Sequence, residues 1–127
     1  MSGKFSFSKR IKSFSHAWRG FSVFIKKTHN AWVEIAAFIL GIILALYFQI
    51  TAGEWTTLIL VSGLVFVSEA FNTALEIDMD LTSPEYHPYA RDVKDIAAGA
   101  VLISVVIAIL ISIIIFAPHI AVLTAQQ

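Results

Sequence analysis

The chain has 127 residues, of which 57% are hydrophobic and only 14% charged, and its formal net charge is zero. That balance is too apolar for a water-soluble domain of this size and places the chain in a membrane. Having no cysteine, it has no disulfide framework, thiolate metal site or cysteine nucleophile, and cysteine usage says nothing about its redox compartment.

The first predicted element is a helix over about residues 5–30, containing "KFSFSKRIKSFSHAWRGFSVFIKK". Phe7, Ile11, Phe14, Trp18, Phe21 and Ile25 recur in steps of four and three, which draws one apolar stripe along a helix. Seven of the nine lysines and arginines lie before residue 28: Lys4, Lys9, Arg10, Lys12, Arg19, Lys26 and Lys27. A basic helix with an aromatic stripe is expected to lie in the headgroup region of an anionic leaflet.

Three apolar stretches follow, over about residues 31–50, 55–80 and 89–117. Crossing a hydrocarbon core of ~30 Å takes roughly 20 helical residues, and each stretch reaches that length. The predicted fold is an all-α membrane protein, one domain over 1–127, with an amphipathic surface helix and three transmembrane helices. The basic N-terminal segment and the loop near Arg91 and Lys94 share the cytoplasmic side by the positive-inside rule, which leaves the C-terminus outside. Trp32, Tyr47 and Trp55 fall near helix ends, as interfacial aromatics do.

The second crossing ends in "SEAFNTALEIDMD", residues 68–80. Glu69, Asn72, Glu76 and Asp80 are spaced by three, four and four, so they project from one helix face. Glu69 lies about two turns inside the apolar run, a depth at which an ionisable group marks a functional site. Asp78 and Asp80 also suit simple termination at the interface. Pro84 and Pro88 break the loop that follows, and the third helix is predicted to begin near Pro88. Lys94 and Asp95 then enter at the depth of Glu76 and Asp80, and "AAGA" at 97–100 offers small residues for close helix approach.

Clustered carboxylates suit a hard divalent cation such as Mg²⁺ bridging to phosphate oxygens, and a lysine beside them can neutralise transferring phosphate charge. A carboxylate in a low-dielectric setting is a group that can accept a proton from an alcohol. Together these residues point to phosphoryl transfer onto a lipid hydroxyl, without a P-loop for the nucleotide. The alternative is a non-catalytic membrane oligomer that conducts protons or ions through its intramembrane acids. His16, His29 and His119 show no paired metal-ligand spacing and read as interfacial. Phe66 and Phe71 read as packing or lipid-facing residues.

"SEAFNTALEIDMDL" followed by "PEYHPYARDVKDIAAGAVLI" closely resembles the signature of the prokaryotic diacylglycerol kinase family, small integral membrane lipid kinases that include undecaprenol kinases. With the length, the three crossings and the basic helix, the resemblance covers nearly the whole chain. It implies a homotrimer in the bacterial inner membrane with composite sites between subunits, taking MgATP from the cytoplasm and a lipid alcohol, diacylglycerol or undecaprenol, from the membrane. It further implies Glu69 as the general base, with Asn72, Thr73 and Asp80 lining the site. Glu76 becomes a Mg²⁺ ligand, Lys94 and Asp95 contact ATP, and Glu85 and His87 support them. The family's surface helix commonly ends in a glutamate, a second metal carboxylate, shortly before an asparagine. In "KKTHNAWVE", with Asn30 as that asparagine, Thr28 takes the glutamate's place. Glu34 is a possible substitute, but six residues further along a helix it is expected to point well away. Either the metal relies on Glu76, ATP and water, or this copy is impaired.

Overall fold

The computed structural model describes residues 7–28 and 31–125. Four helices account for nearly all of them: α1 (Phe7–Lys27), α2 (Ala31–Phe48), α3 (Ala52–Thr82) and α4 (Pro88–Ala125). Among the described residues there is no strand, and α2, α3 and α4 are each long and apolar enough to cross a membrane. In lipid the backbone must satisfy its own polar groups, and an uninterrupted helix does so within one segment.

Boundaries differ from expectation at informative places. Residues 5, 6, 29 and 30 of the expected surface helix, His29 and Asn30 included, lie outside the described residues. The five stripe residues from Phe7 to Phe21 are exposed on α1, whereas Phe24 is buried. The α2 helix stops at Phe48, where Gln49 takes a left-handed φ of 50° and Ile50 N–H donates to the Ala45 carbonyl, a helix-ending αL turn. Next comes a capping box: Thr51 N–H donates to Glu54 Oε2 at 2.8 Å, and Glu54 N–H donates to Thr51 Oγ1 at 3.3 Å. This pair starts α3 at Ala52, ahead of the expected 55. The α4 helix begins at Pro88, where the missing N–H costs nothing. It also continues through Pro118, beyond the expected end at 117, because one lost hydrogen bond is small against the apolar helix on either side of it.

The main packing seam joins antiparallel α3 and α4. Leu58, Val61, Val65, Glu69 and Asn72 are buried along α3 in steps of three and four, the repeat of one helix face. Opposite them α4 buries Ala97, Ser104, Ile115 and Phe116. Ala97 bears out the reading of "AAGA" as a packing strip, but Gly99 does not, since a Cβ there would meet nothing within 4 Å. At the hairpin end, Ala45, Ile50, Leu58, Ile115 and Phe116 form one cluster joining α2, α3 and α4. There His119 stacks on Phe48 and its Nε2 approaches Glu54 Oε1 at 3.4 Å, so this histidine clasps α3 to α4.

The lengths place the other end. At 1.5 Å per residue, α3 spans about 46 Å and α4 about 57 Å, both well beyond a ~30 Å hydrocarbon core. The acid-bearing end of α3 and the first turns of α4 can therefore project past the lipid tails.

Candidate active site

The loop end of the α3–α4 pair gathers the polar residues. Lys94 Nζ donates to Asp80 Oδ1 at 2.6 Å across the two helices. Lys94 is also within electrostatic reach of Glu76, one turn before Asp80. Asn72 reaches along α3 toward Glu76, with Nδ2 and Oε1 3.5 Å apart, and its own Oδ1 is enclosed without a donor among the described residues. Glu69 is only 7% exposed, accepts no hydrogen bond from any described residue, and feels the Glu76 charge. One face of α3 thus runs from a buried acid through an amide to exposed carboxylates beside a lysine.

The remaining candidate residues spread further. Asp95 faces back along α4 to Arg91, 3.5 Å from its Nε, and both side chains are largely exposed. Glu85 and His87 sit exposed in the loop, where His87 Nδ1 accepts the Tyr89 N–H at 3.3 Å. Neither is brought to Glu69. Thr73 is buried, but its hydroxyl pairs with Thr28 Oγ1 at 2.8 Å. That bond fastens the end of α1 to α3, so Thr28 is a structural latch with its oxygen already committed.

Glu34 stands near Glu69. It lies in the first turn of α2, which begins at Ala31, whereas α1 ends at Lys27. Glu34 lines the same groove as Glu69 and lies within reach of its charge. The signal that singles out Glu69, an acid inside an apolar run, is present in "AWVEIAAF" too.

The groove has a volume of about 650 Å³ and is lined by residues of α2, α3 and α4. Glu34 and Glu69 mark its loop end, and Phe116 and Ile120 its hairpin end. Phe66 lines its wall and meets Phe38 edge to face, with ring centroids 5.8 Å apart, while Phe71 is exposed.

Whether these residues suit a divalent cation can be judged from the donors. Among the described residues no group of three or more His, Cys, Asp or Glu is arranged to hold a metal. An exposed Glu76 beside a lysine fits instead an ion such as Mg²⁺, which keeps its waters and binds through one or two carboxylates and substrate phosphates.

Comparison with known proteins adds an independent line. The family model for prokaryotic diacylglycerol kinase matches residues 15–116. The chain is 36% identical over 108 residues to an undecaprenol kinase of Bacillus subtilis, covering 85% of this chain and 88% of that one. It is 39% identical over 83 residues to a diacylglycerol kinase of Helicobacter pylori, covering 60% and 65%. With a diacylglycerol kinase of Escherichia coli it shares 29% over 111 residues, covering 82% and 85%.

Proposed function

Because the chain belongs to the prokaryotic diacylglycerol kinase family and is a lipid kinase, we propose that it moves the γ-phosphoryl group of MgATP directly onto the hydroxyl of a membrane lipid. The observation that carries this reading is Glu69: a buried acid with no hydrogen bond among the described residues, between an apolar groove and the Glu76–Lys94 end. A lipid alcohol reaches Glu69 along the groove, and a nucleotide reaches it from the polar side.

Glu69 accepts the hydroxyl proton as the alcohol oxygen attacks the γ-phosphorus. The bond to the β,γ-bridging oxygen breaks, ADP leaves, and the lipid becomes a phosphomonoester. Asn72 holds Glu76 in place, and Glu76 would ligate Mg²⁺, whose chemistry is to offset phosphate charge. Lys94 leaves its exposed partner Asp80 for the nucleotide phosphates, with Asp95, Glu85 and His87 around the nucleotide. The loop end is then cytoplasmic, with α1 on the inner face of a bacterial inner membrane, the C-terminus outside, and the whole 1–127 chain one kinase domain assembled as a homotrimer with shared sites.

Diacylglycerol and undecaprenol both offer a primary hydroxyl. On α4 the groove runs from Val101 to Ile120, about 28 Å at 1.5 Å per residue, which is the full hydrocarbon thickness and not a single leaflet. A long polyprenol fills that length, so undecaprenol is the favoured acceptor. Proton conduction is disfavoured, because among the described residues lining the groove nothing titratable lies beyond Glu34 and Glu69. Incubating the purified protein in mixed micelles with γ-labelled ATP, Mg²⁺ and each lipid should label undecaprenol more readily than diacylglycerol. Label on neither lipid would refute the proposal.

A further inference from the structure

Gly41 lies in the interior of α2, where a glycine weakens a helix relative to alanine. The backbone does not call for it, since among the described residues no glycine takes a positive φ. Packing does not call for it either: a Cβ at residue 41 would meet only the two methyl carbons of Leu58, at 3.9 and 4.0 Å, an ordinary contact. What the missing side chain leaves is room in the groove. Gly41 is the lining residue of α2 nearest the hairpin, and Leu58 is its counterpart on α3. Beyond them both helices close into the cluster of Ala45, Ile50, Leu58 and Phe116, with Leu44 and Phe48 packed against it. Only α4 carries the groove wall further, through Ala117 to Ile120.

We infer that Gly41 selects the acceptor by chain length: the gap it leaves beside Leu58 lets a tail longer than one leaflet continue along α4 to Ile120. This rests on the kinase reading. The α3 wall from Glu69 to Leu58 is about 17 Å long at 1.5 Å per residue, roughly half of a ~30 Å hydrocarbon core. A chain of leaflet depth, such as an acyl chain of diacylglycerol, ends there and does not need the gap. A polyprenol with its hydroxyl at Glu69 still has length to place, and that length passes residue 41. A side chain reaching from residue 41 into the groove turns such a tail out into the lipid and leaves shorter acceptors seated. Alanine does not, because its one methyl stays in ordinary contact with Leu58. An apolar pocket of fixed shape discriminates by volumes this small, about tenfold or more for one methylene. Gly41 is thus a specificity-determining residue that takes no part in moving the proton or the phosphoryl group.

The test uses the full-length protein in mixed micelles with MgATP and compares undecaprenol with geranylgeraniol, the same allylic alcohol on a shorter chain, and with dioleoylglycerol. The wild type should use undecaprenol at a lower lipid KM than geranylgeraniol. Gly41→Leu should raise the undecaprenol KM by about tenfold and leave those for geranylgeraniol, dioleoylglycerol and MgATP unchanged, whereas Gly41→Ala should keep the wild-type ratio. Ala117→Phe, on the α4 wall beyond Leu58, should show the same length-specific loss, and it carries the test if Gly41→Leu does not fold. An equal loss with both prenols, an unchanged ratio in both bulky variants, or a Gly41→Ala loss as large as that of Gly41→Leu would overturn the inference. Thermal unfolding separates it from the kinase reading: undecaprenol should raise the wild-type unfolding temperature more than geranylgeraniol does, Gly41→Leu should erase that difference, and equal shifts in the wild type would count against the inference. A protein that shows the difference but phosphorylates no acceptor would remove the kinase reading while leaving the length selection standing.

Discussion

Lys94 and Asp80 form a short ion pair, yet their side chains are 40% and 69% exposed. Solvent-exposed pairs of this kind contribute little to folding. The lysine can therefore exchange its partner for a nucleotide phosphate at small cost. Replacing Lys94 with Ala is predicted to lower kcat/KM for MgATP by at least about tenfold, the effect of losing one charge-assisted contact, with lipid KM unchanged. Asp80→Asn should leave thermal stability in micelles nearly the same. An unchanged MgATP dependence for Lys94→Ala would mean that the lysine serves only Asp80. The acid stripe itself is legible in the sequence, because carboxylates inside an apolar run at helical spacing have few other reasons to be there. Glu34 obeys that same rule, as an acid inside the apolar run of α2.

The elements meet differently at the two ends of the bundle. At the hairpin end the aliphatic cluster, the Thr51–Glu54 capping box and the His119 clasp hold α2, α3 and α4 together. At the loop end α1 is fastened by Phe24 and by the buried Thr28–Thr73 hydroxyl pair. Thr28→Val keeps the shape but leaves the Thr73 hydroxyl buried without its partner, a cost of about 1–3 kcal/mol. A drop of that size should be visible as a lower unfolding temperature in micelles, and none is expected for substitution of the exposed Ser13. The three crossings are legible from hydrophobic run length, and α1 from the helical spacing of its apolar stripe. Their pairing is not, because contacts such as Thr28–Thr73 and Glu54–His119 join residues far apart in sequence and carry no local signal. Nor is the extension of α4 past Pro118, since a proline in the sequence reads as a stop unless the apolar helix around it outweighs one lost hydrogen bond.

As a whole, one chain carries an apolar groove and a carboxylate–lysine cluster, but among the described residues no group of three or more His, Cys, Asp or Glu arranged to hold a metal. That incompleteness is what a shared site between subunits would remedy. Lysine cross-linking in mild detergent is predicted to trap three chains; a ladder ending at one or two would contradict the assembly. The absence of cysteine allows sidedness to be read cleanly. Cysteines introduced singly at Ser83 and at Gln49 should react with a membrane-impermeant maleimide from opposite faces, Ser83 from the cytoplasm. Reaction of both from one face would overturn the three-crossing topology.

The chemistry turns on whether the buried acid of α3 takes the alcohol's proton. The direct measurement is turnover of Glu69→Gln beside the wild type, with γ-labelled ATP, Mg²⁺ and undecaprenol in mixed micelles, after showing that the variant assembles and binds both substrates. Removing a general base is predicted to slow phosphate transfer by about 10²- to 10⁴-fold with binding intact. Transfer by Glu69→Gln at a rate near that of the wild type would contradict the mechanism.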